Sequence, residues 1–167
     1  VSVSDLMAGT DVTDVYRGFL ENCAIISGPA TPEMATCTEV YRSGDVLTAR
    51  LDLPRGSNSD QGKYLFDPYF LDAVWRLLTF LKGEGNAAAP GGSQLAFPLA
   101  IECLSGFASL TGTSYARIVD NRKTNGEQVW QVELFDDGGK ECLRFEGVKL
   151  MRLDNHHDIL LEEEATP

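Results

Sequence analysis

From Tyr69 to Leu81 an apolar residue falls on nearly every face of a helix. That pattern belongs to a helix enclosed by other structure rather than one lying on a surface. Asp67 is a good N-cap, and Pro68 suits the first helical position, where a missing N–H costs nothing. Lys82 followed by Gly83 supplies a basic last turn and a stop. The spacing thus predicts a helix over about 68–82 with Val74, Leu77, Leu78 and Leu81 buried. One carboxylate, Asp72, interrupts the run a turn in. A buried carboxylate is expensive unless it is paired, protonated or used, which makes Asp72 the leading candidate for chemistry.

Around this helix the pattern is short helix and strands. Residues 11–23 read as an amphipathic helix with Val12, Val15, Tyr16, Phe19 and Leu20 on one face, broken by Ser27-Gly28-Pro29. Strands follow at 35–41 and 46–53, joined by a turn at Ser43-Gly44-Asp45. In the second, Leu47, Ala49, Leu51 and Leu53 alternate with Thr48, Arg50 and Asp52, as a half-buried strand requires. A polar loop at 54–61 leads to the helix, and 83–93 is a flexible loop too short for a domain linker. The remainder is β-rich, at 95–109, 114–120, 128–135 and 141–153. Asp136-Asp137-Gly138-Gly139 is a hairpin turn. Leu143 and Phe145 share one parity, Val148 and Leu150 the other, so Gly147 marks a β-bulge that resets the register. The class is α+β, an antiparallel sheet around one long helix.

At 167 residues, 43% of them apolar, the chain is a single domain with a core of its own. Its first residue is not Met, which points to a piece excised from a longer polypeptide, with flexible ends at about 1–10 and 154–167. No apolar run nears the roughly 20 residues that span a bilayer, and the N-terminus has no signal-peptide pattern. A net charge of −11 argues against nucleic acid and anionic membranes as partners. Cys23, Cys37, Cys103 and Cys142 form no CxxC pair, so they read as free, mostly buried thiols of a cytoplasmic protein, without metal. His156 and His157 sit in the acidic tail.

The order of elements, with an Asp inside the central helix, resembles the hotdog fold of polyketide synthase dehydratase domains. Asp67-Pro68-Tyr69-Phe70-Leu71-Asp72-Ala73-Val74-Trp75-Arg76 lines up with the family's HPxxLDxxxQ motif. Ser27-Gly28-Pro29-Ala30-Thr31 lines up with YGPxF, and Leu95-Ala96-Phe97-Pro98-Leu99-Ala100-Ile101 with LPxxI. The last hairpin is similar to the family's closing strands, so the resemblance runs from about residue 14 to 153. It points to the second, C-terminal hotdog of a double hotdog. The first supplies a histidine in an HxxxGxxxxP motif that this chain lacks. Within the matched motifs the family's His is Asp67, its Gln is Arg76 and its Tyr is Ser27.

The resemblance implies dehydration of a β-hydroxyacyl thioester carried on the phosphopantetheine of an acyl carrier protein, with no cofactor of the domain's own. Asp72 would be the catalytic acid, with Arg76, Pro68, Leu71 and Pro98 on the substrate-binding side. Neighbouring synthase domains, and a second hotdog or a second copy of the chain, would be its partners. Arg76 complicates the assignment, because it lies four residues on along the same helix face, within ion-pair reach of Asp72. Such a cation favours the ionised carboxylate and suits a structural pair as well as a site. Asp67 is explained by capping and Cys103 by burial. The open alternatives are a cyclase, double-bond isomerase or branching domain of altered chemistry, or a catalytically silent docking domain.

Overall fold

The structure, a computed structural model, describes residues 1–27, 36–52, 68–84, 96–108, 110, 113–121 and 125–152. Three helices, α1 (Val3–Leu6), α2 (Thr13–Ser27) and α3 (Pro68–Glu84), accompany eight strands among these residues. The strands are β1 (Thr10–Asp11), β2 (Thr36–Ser43), β3 (Val46–Asp52), β4 (Ala96–Ala100), β5 (Cys103–Gly106), β6 (Thr113–Asp120), β7 (Trp130–Phe135) and β8 (Glu141–Arg152). All pair antiparallel in the order β1-β2-β3-β6-β7-β8-β4, with β5 also on β8. The hotdog arrangement implied by the resemblance is therefore present, with α3 starting at Pro68 and running one residue past Gly83.

The sheet's inner face and α3 share one core. Val40, Leu47, Ala49, Leu51, Ala116, Ile118, Val132, Leu134, Leu143, Phe145 and Val148 meet Phe70, Ala73, Val74, Leu77, Leu78 and Phe80. Two bulges make this possible. At Gly147 (φ +64) the ladder skips from Phe145 to Val148, so both point inward despite opposite parity. The positive φ favours glycine there, and a Cβ would displace the Glu102 side chain, 2.5 Å away. A second bulge at Thr38 lies between the pairs Cys37↔Leu51 and Glu39↔Arg50, and turns Cys37 to the same side as Val40.

Four expectations need correcting. Leu81 is half-buried against the core rather than enclosed. Val15 is exposed, because it lies about 100° around α2 from the buried Tyr16. The strand expected at 95–109 is two, β4 and β5, separated at Ile101-Glu102. Residues 1–10 are no loose end: Ser2 caps α1, and Leu6 is buried with Tyr115 and Phe135 on the sheet's outer face. Leu6→Ala should therefore cost about 2–4 kcal/mol in urea unfolding, as an apolar side chain removed from a closed cluster does. A loss below about 1 kcal/mol would return this segment to the status of a tail.

Candidate functional site

Residues one turn apart on α3 divide into an inner and an outer side. Phe70, Val74, Leu77 and Leu78 face the sheet and are buried. Asp72, Trp75 and Arg76 face away from it and are half-buried. On one flank the ring of Trp75 meets Phe145 of β8 edge-on at 6.0 Å, and on the other Phe80 meets Tyr16 of α2 at 5.3 Å. Asp72 lies between these flanks, while Thr79, two turns further along the same side, is buried. The Asp72 side chain is 42% exposed and that of Arg76 30%. This corrects the expectation of a buried carboxylate: one sheet covers one side of a helix, and an apolar residue on the other side waits for different cover.

The Nε–H of Arg76 donates to Oδ2 of Asp72 at 2.8 Å, the contact expected from their four-residue spacing. A carboxylate with one oxygen so occupied retains Oδ1 for a reacting group. Thr79 spends its hydroxyl on the Trp75 carbonyl at 2.9 Å, one turn back. At the far end of α3, Lys82 donates to the Leu150 carbonyl at 3.0 Å and lies 5.8 Å from the centre of the Trp130 ring, tying the helix to β8.

On the α2 side, Tyr16 is buried in the core and Cys37 is half-buried against it. Burial pushes the Tyr16 phenol well above its ordinary range, and pushes the Cys37 thiol up to about 12. The charge of Arg76 reaches both groups and that of Asp72 reaches Tyr16. Because folding raises both values, the native state holds protons that the unfolded chain gives up first. Stability is thus complete below the ordinary thiol value near 9 and falls as pH climbs from there toward 12. Urea midpoints at pH 8 and pH 10.5 should differ, and Cys37→Val should shrink the difference. Equal slopes for the two proteins would refute the assignment.

The structure gathers the sequence candidates only in part. Asp72, Arg76 and the half-buried Leu71 lie together on the first turns of α3. Pro68 begins that helix, and its side chain is outside the described residues. Pro98 is exposed on β4 opposite Leu150, the residue that Lys82 contacts. Ten residues of helix separate Lys82 from Asp72, about 15 Å along the axis, so the Pro98–Leu150 pair lies toward the other end of the helix from Asp72. Cys103, expected to be buried, is exposed on β5 because that strand lies at the sheet edge. Asp67, the Gly28–Thr31 part of the YGPxF-like segment, and both histidines lie outside the described residues, as does the side chain of Ser27. The inward turn of Cys37 toward the core was not foreseen. It depends on the Thr38 bulge, for which strand alternation gives no sign.

A sequence model described as the polyketide synthase dehydratase N-terminal domain matches residues 32–159, about three quarters of the chain. It is the family that the motifs resemble, although the description names the N-terminal domain where the motif order points to the C-terminal half. Polyketide synthase PksM of Bacillus subtilis (strain 168) is 26% identical over 120 residues, covering 70% of this chain and 3% of that protein. The dehydratase domain from the CurK module of curacin polyketide synthase superposes with a TM-score of 0.70 at 14% identity, over 92% of this chain and 52% of the other. Two inactive mutants of that dehydratase, one with an aspartate changed to asparagine and one with a histidine changed to phenylalanine, superpose at 0.67 and 0.66. A trans-acyltransferase polyketide synthase enoyl-isomerase gives 0.61 at 17% identity, over 90% of this chain and 55% of the other. The chain thus spans about half the length of these domains.

Proposed function

Because this chain belongs to the polyketide synthase dehydratase family, we propose that it is the aspartate-bearing half of a dehydratase site in a modular synthase. Its substrate is a β-hydroxyacyl thioester delivered on the phosphopantetheine arm of an acyl carrier protein. Asp72 carries this reading: it occupies the Asp position of the family motif, on the side of the central helix that its own sheet leaves open. Dehydration needs a base to take the α-proton and an acid to protonate the departing hydroxyl. Asp72 supplies the second. The first comes from a histidine outside this chain's HxxxGxxxxP-free sequence, in keeping with the CurK dehydratase, which is inactive when either an aspartate or a histidine is replaced.

A second hotdog would bring that histidine and cover Asp72, and the β4–β5 edge offers it a surface. Leu99 (63% exposed), Ile101, Leu104, Phe107 and Met151 cluster there, and Glu102 is the one charged residue between 96 and 110. A largely apolar strand edge with a single charge is an association surface. The test is turnover of a carrier-bound 3-hydroxyacyl chain by this domain alone and by the domain joined to a histidine-bearing hotdog. Alone it should run about 10²–10⁴-fold slower, the usual worth of one general base. Comparable rates would overturn the reading.

The Arg76 contact favours a second reading. The carboxylate oxygen that Arg76 does not engage would carry one proton with no net transfer, as double-bond migration requires: Asp72 would take a γ-proton from an enoyl thioester and return it at the α-carbon. Deuterium from solvent would then enter a carrier-bound enoyl chain, and Asp72→Asn would stop it.

A further inference from the structure

We propose that Trp75 is a specificity-determining residue of the Asp72 site: the acyl chain beyond its β-carbon lies along the indole and runs toward Leu104 at the β5 edge, so the site takes chains with an apolar tail. This rests on the reading of Asp72 as the reacting group, because the path of the chain starts at that carboxylate.

The Nε–H of Arg76 occupies Oδ2 of Asp72 at 2.8 Å, on the flank of α3 that Phe80 continues toward Tyr16. A substrate bonded to the other oxygen is turned to the opposite flank. There the neighbour one turn on is Trp75, its Cβ about 5–6 Å from that of Asp72. Trp75 also differs from the other large apolar residues of the helix. Phe70, Leu77, Leu78 and Phe80 are 2% exposed or less, and Trp75 is only half-buried. This core can close over an indole completely, since Trp130 is 1% exposed. Apolar surface continues beyond the Trp75 ring. It meets Phe145 edge-on at 6.0 Å, and Leu104 of β5 stands directly opposite Phe145 on the same face of the sheet. Leu104 is 45% exposed although it shares the face that carries the core, because β5 is an edge strand. A 3-hydroxyacyl thioester has its oxygens at the first and third carbons and only hydrocarbon beyond. With its hydroxyl on Asp72, that hydrocarbon finds in Trp75 a flat apolar floor, and in Phe145 and Leu104 the floor's continuation. A partner hotdog seated on the β4–β5 edge would roof this strip.

Calorimetric titration of the chain joined to a histidine-bearing hotdog tests this with two saturated, unreactive probes, butyryl-pantetheine and octanoyl-pantetheine. The octanoyl probe should bind about tenfold more tightly, since four further methylenes are partly covered. Trp75→Ala should bring that ratio below about threefold and leave butyryl binding nearly unchanged. Leu78→Ala removes a buried side chain one turn away, so it should lower the melting temperature and keep the ratio. If Trp75→Ala fails to fold, Trp75→Gln must show the loss instead. Equal affinities for the two probes, an unchanged ratio in a folded Trp75 variant, or an equal loss in Leu78→Ala overturns the proposal. The probes undergo no chemistry, so Asp72→Asn separates the two readings. Full turnover of a 3-hydroxyacyl chain by Asp72→Asn, with the ratio still lost in Trp75→Ala, would leave the strip standing and remove the catalytic reading. Lost turnover with a ratio that ignores Trp75 would do the reverse.

Discussion

Asp72→Asn should cost the completed enzyme about 10²–10⁴-fold in turnover, the usual contribution of one acid–base group, while leaving the fold nearly untouched. The two halves of that expectation have separate causes. The amide keeps the shape of the side chain and can still accept from Arg76 through its oxygen, but it has no proton to give a leaving hydroxyl and no charge with which to take one. The fold survives because both partners are substantially exposed, at 42% and 30%, and an ion pair so placed is worth no more than about 1 kcal/mol. Had the carboxylate been enclosed, as the helix pattern suggested, Arg76→Met would strand a buried charge at several times that cost. Thermal melts of Asp72→Asn, Arg76→Met and the double variant therefore accompany the rate measurement. Large, mutually rescued losses of stability would make the pair structural. Small losses with unchanged turnover would remove Asp72 from the chemistry altogether.

What the sequence revealed and what it concealed divide along physical lines. The span of α3, the β2–β3 hairpin, the Asp136 turn and the Gly147 bulge are local events. Each follows from caps, alternation or a glycine within a few residues, and each was legible. The openness of Asp72 was not, because a helix with apolar residues on all sides looks the same whether one sheet or two layers cover it. Leu71 and Trp75 are half-buried, packed at the margin of the core and not wholly enclosed by it. Likewise Pro98 was grouped with Asp72 by motif order, and only the 82–150 contact shows that its strand meets the opposite end of the helix. The inward turn of Cys37 depends on a bulge with no glycine to announce it.

Glu133 is where a charged side chain is expected to matter most to stability, and it lies on the face of the sheet turned away from the site. Its side chain is 5% exposed and is flanked across the ladder by Arg117 of β6 and Arg144 of β8. Arg117 donates to Oε2, Gln131 donates to Oε1 at 2.7 Å, and the Arg144 guanidinium stands 3.8 Å from Oε1. Arg144 is itself held at 2.6 and 2.7 Å by Glu141. Glu133→Ala leaves two guanidiniums side by side with no carboxylate between them. Removing one member of a buried ionic group typically costs about 3–5 kcal/mol. Both arginines are about one-third exposed and regain some hydration, so the lower end, near 3 kcal/mol, is expected. For a chain of this size that is a fall of about 6–12 °C in melting temperature. Replacing all three, as Arg117→Met, Glu133→Leu and Arg144→Met, should recover much of the loss, since the strands then pack without charge and Met can still cover the Phe135 ring that Arg117 now overlies at 5.3 Å. A single Glu133→Ala change that moves the melt by less than about 2 °C would mean the arginines are sufficiently hydrated alone. The β6–β7–β8 register beneath α3 would then rest on the inner core and not on this ladder.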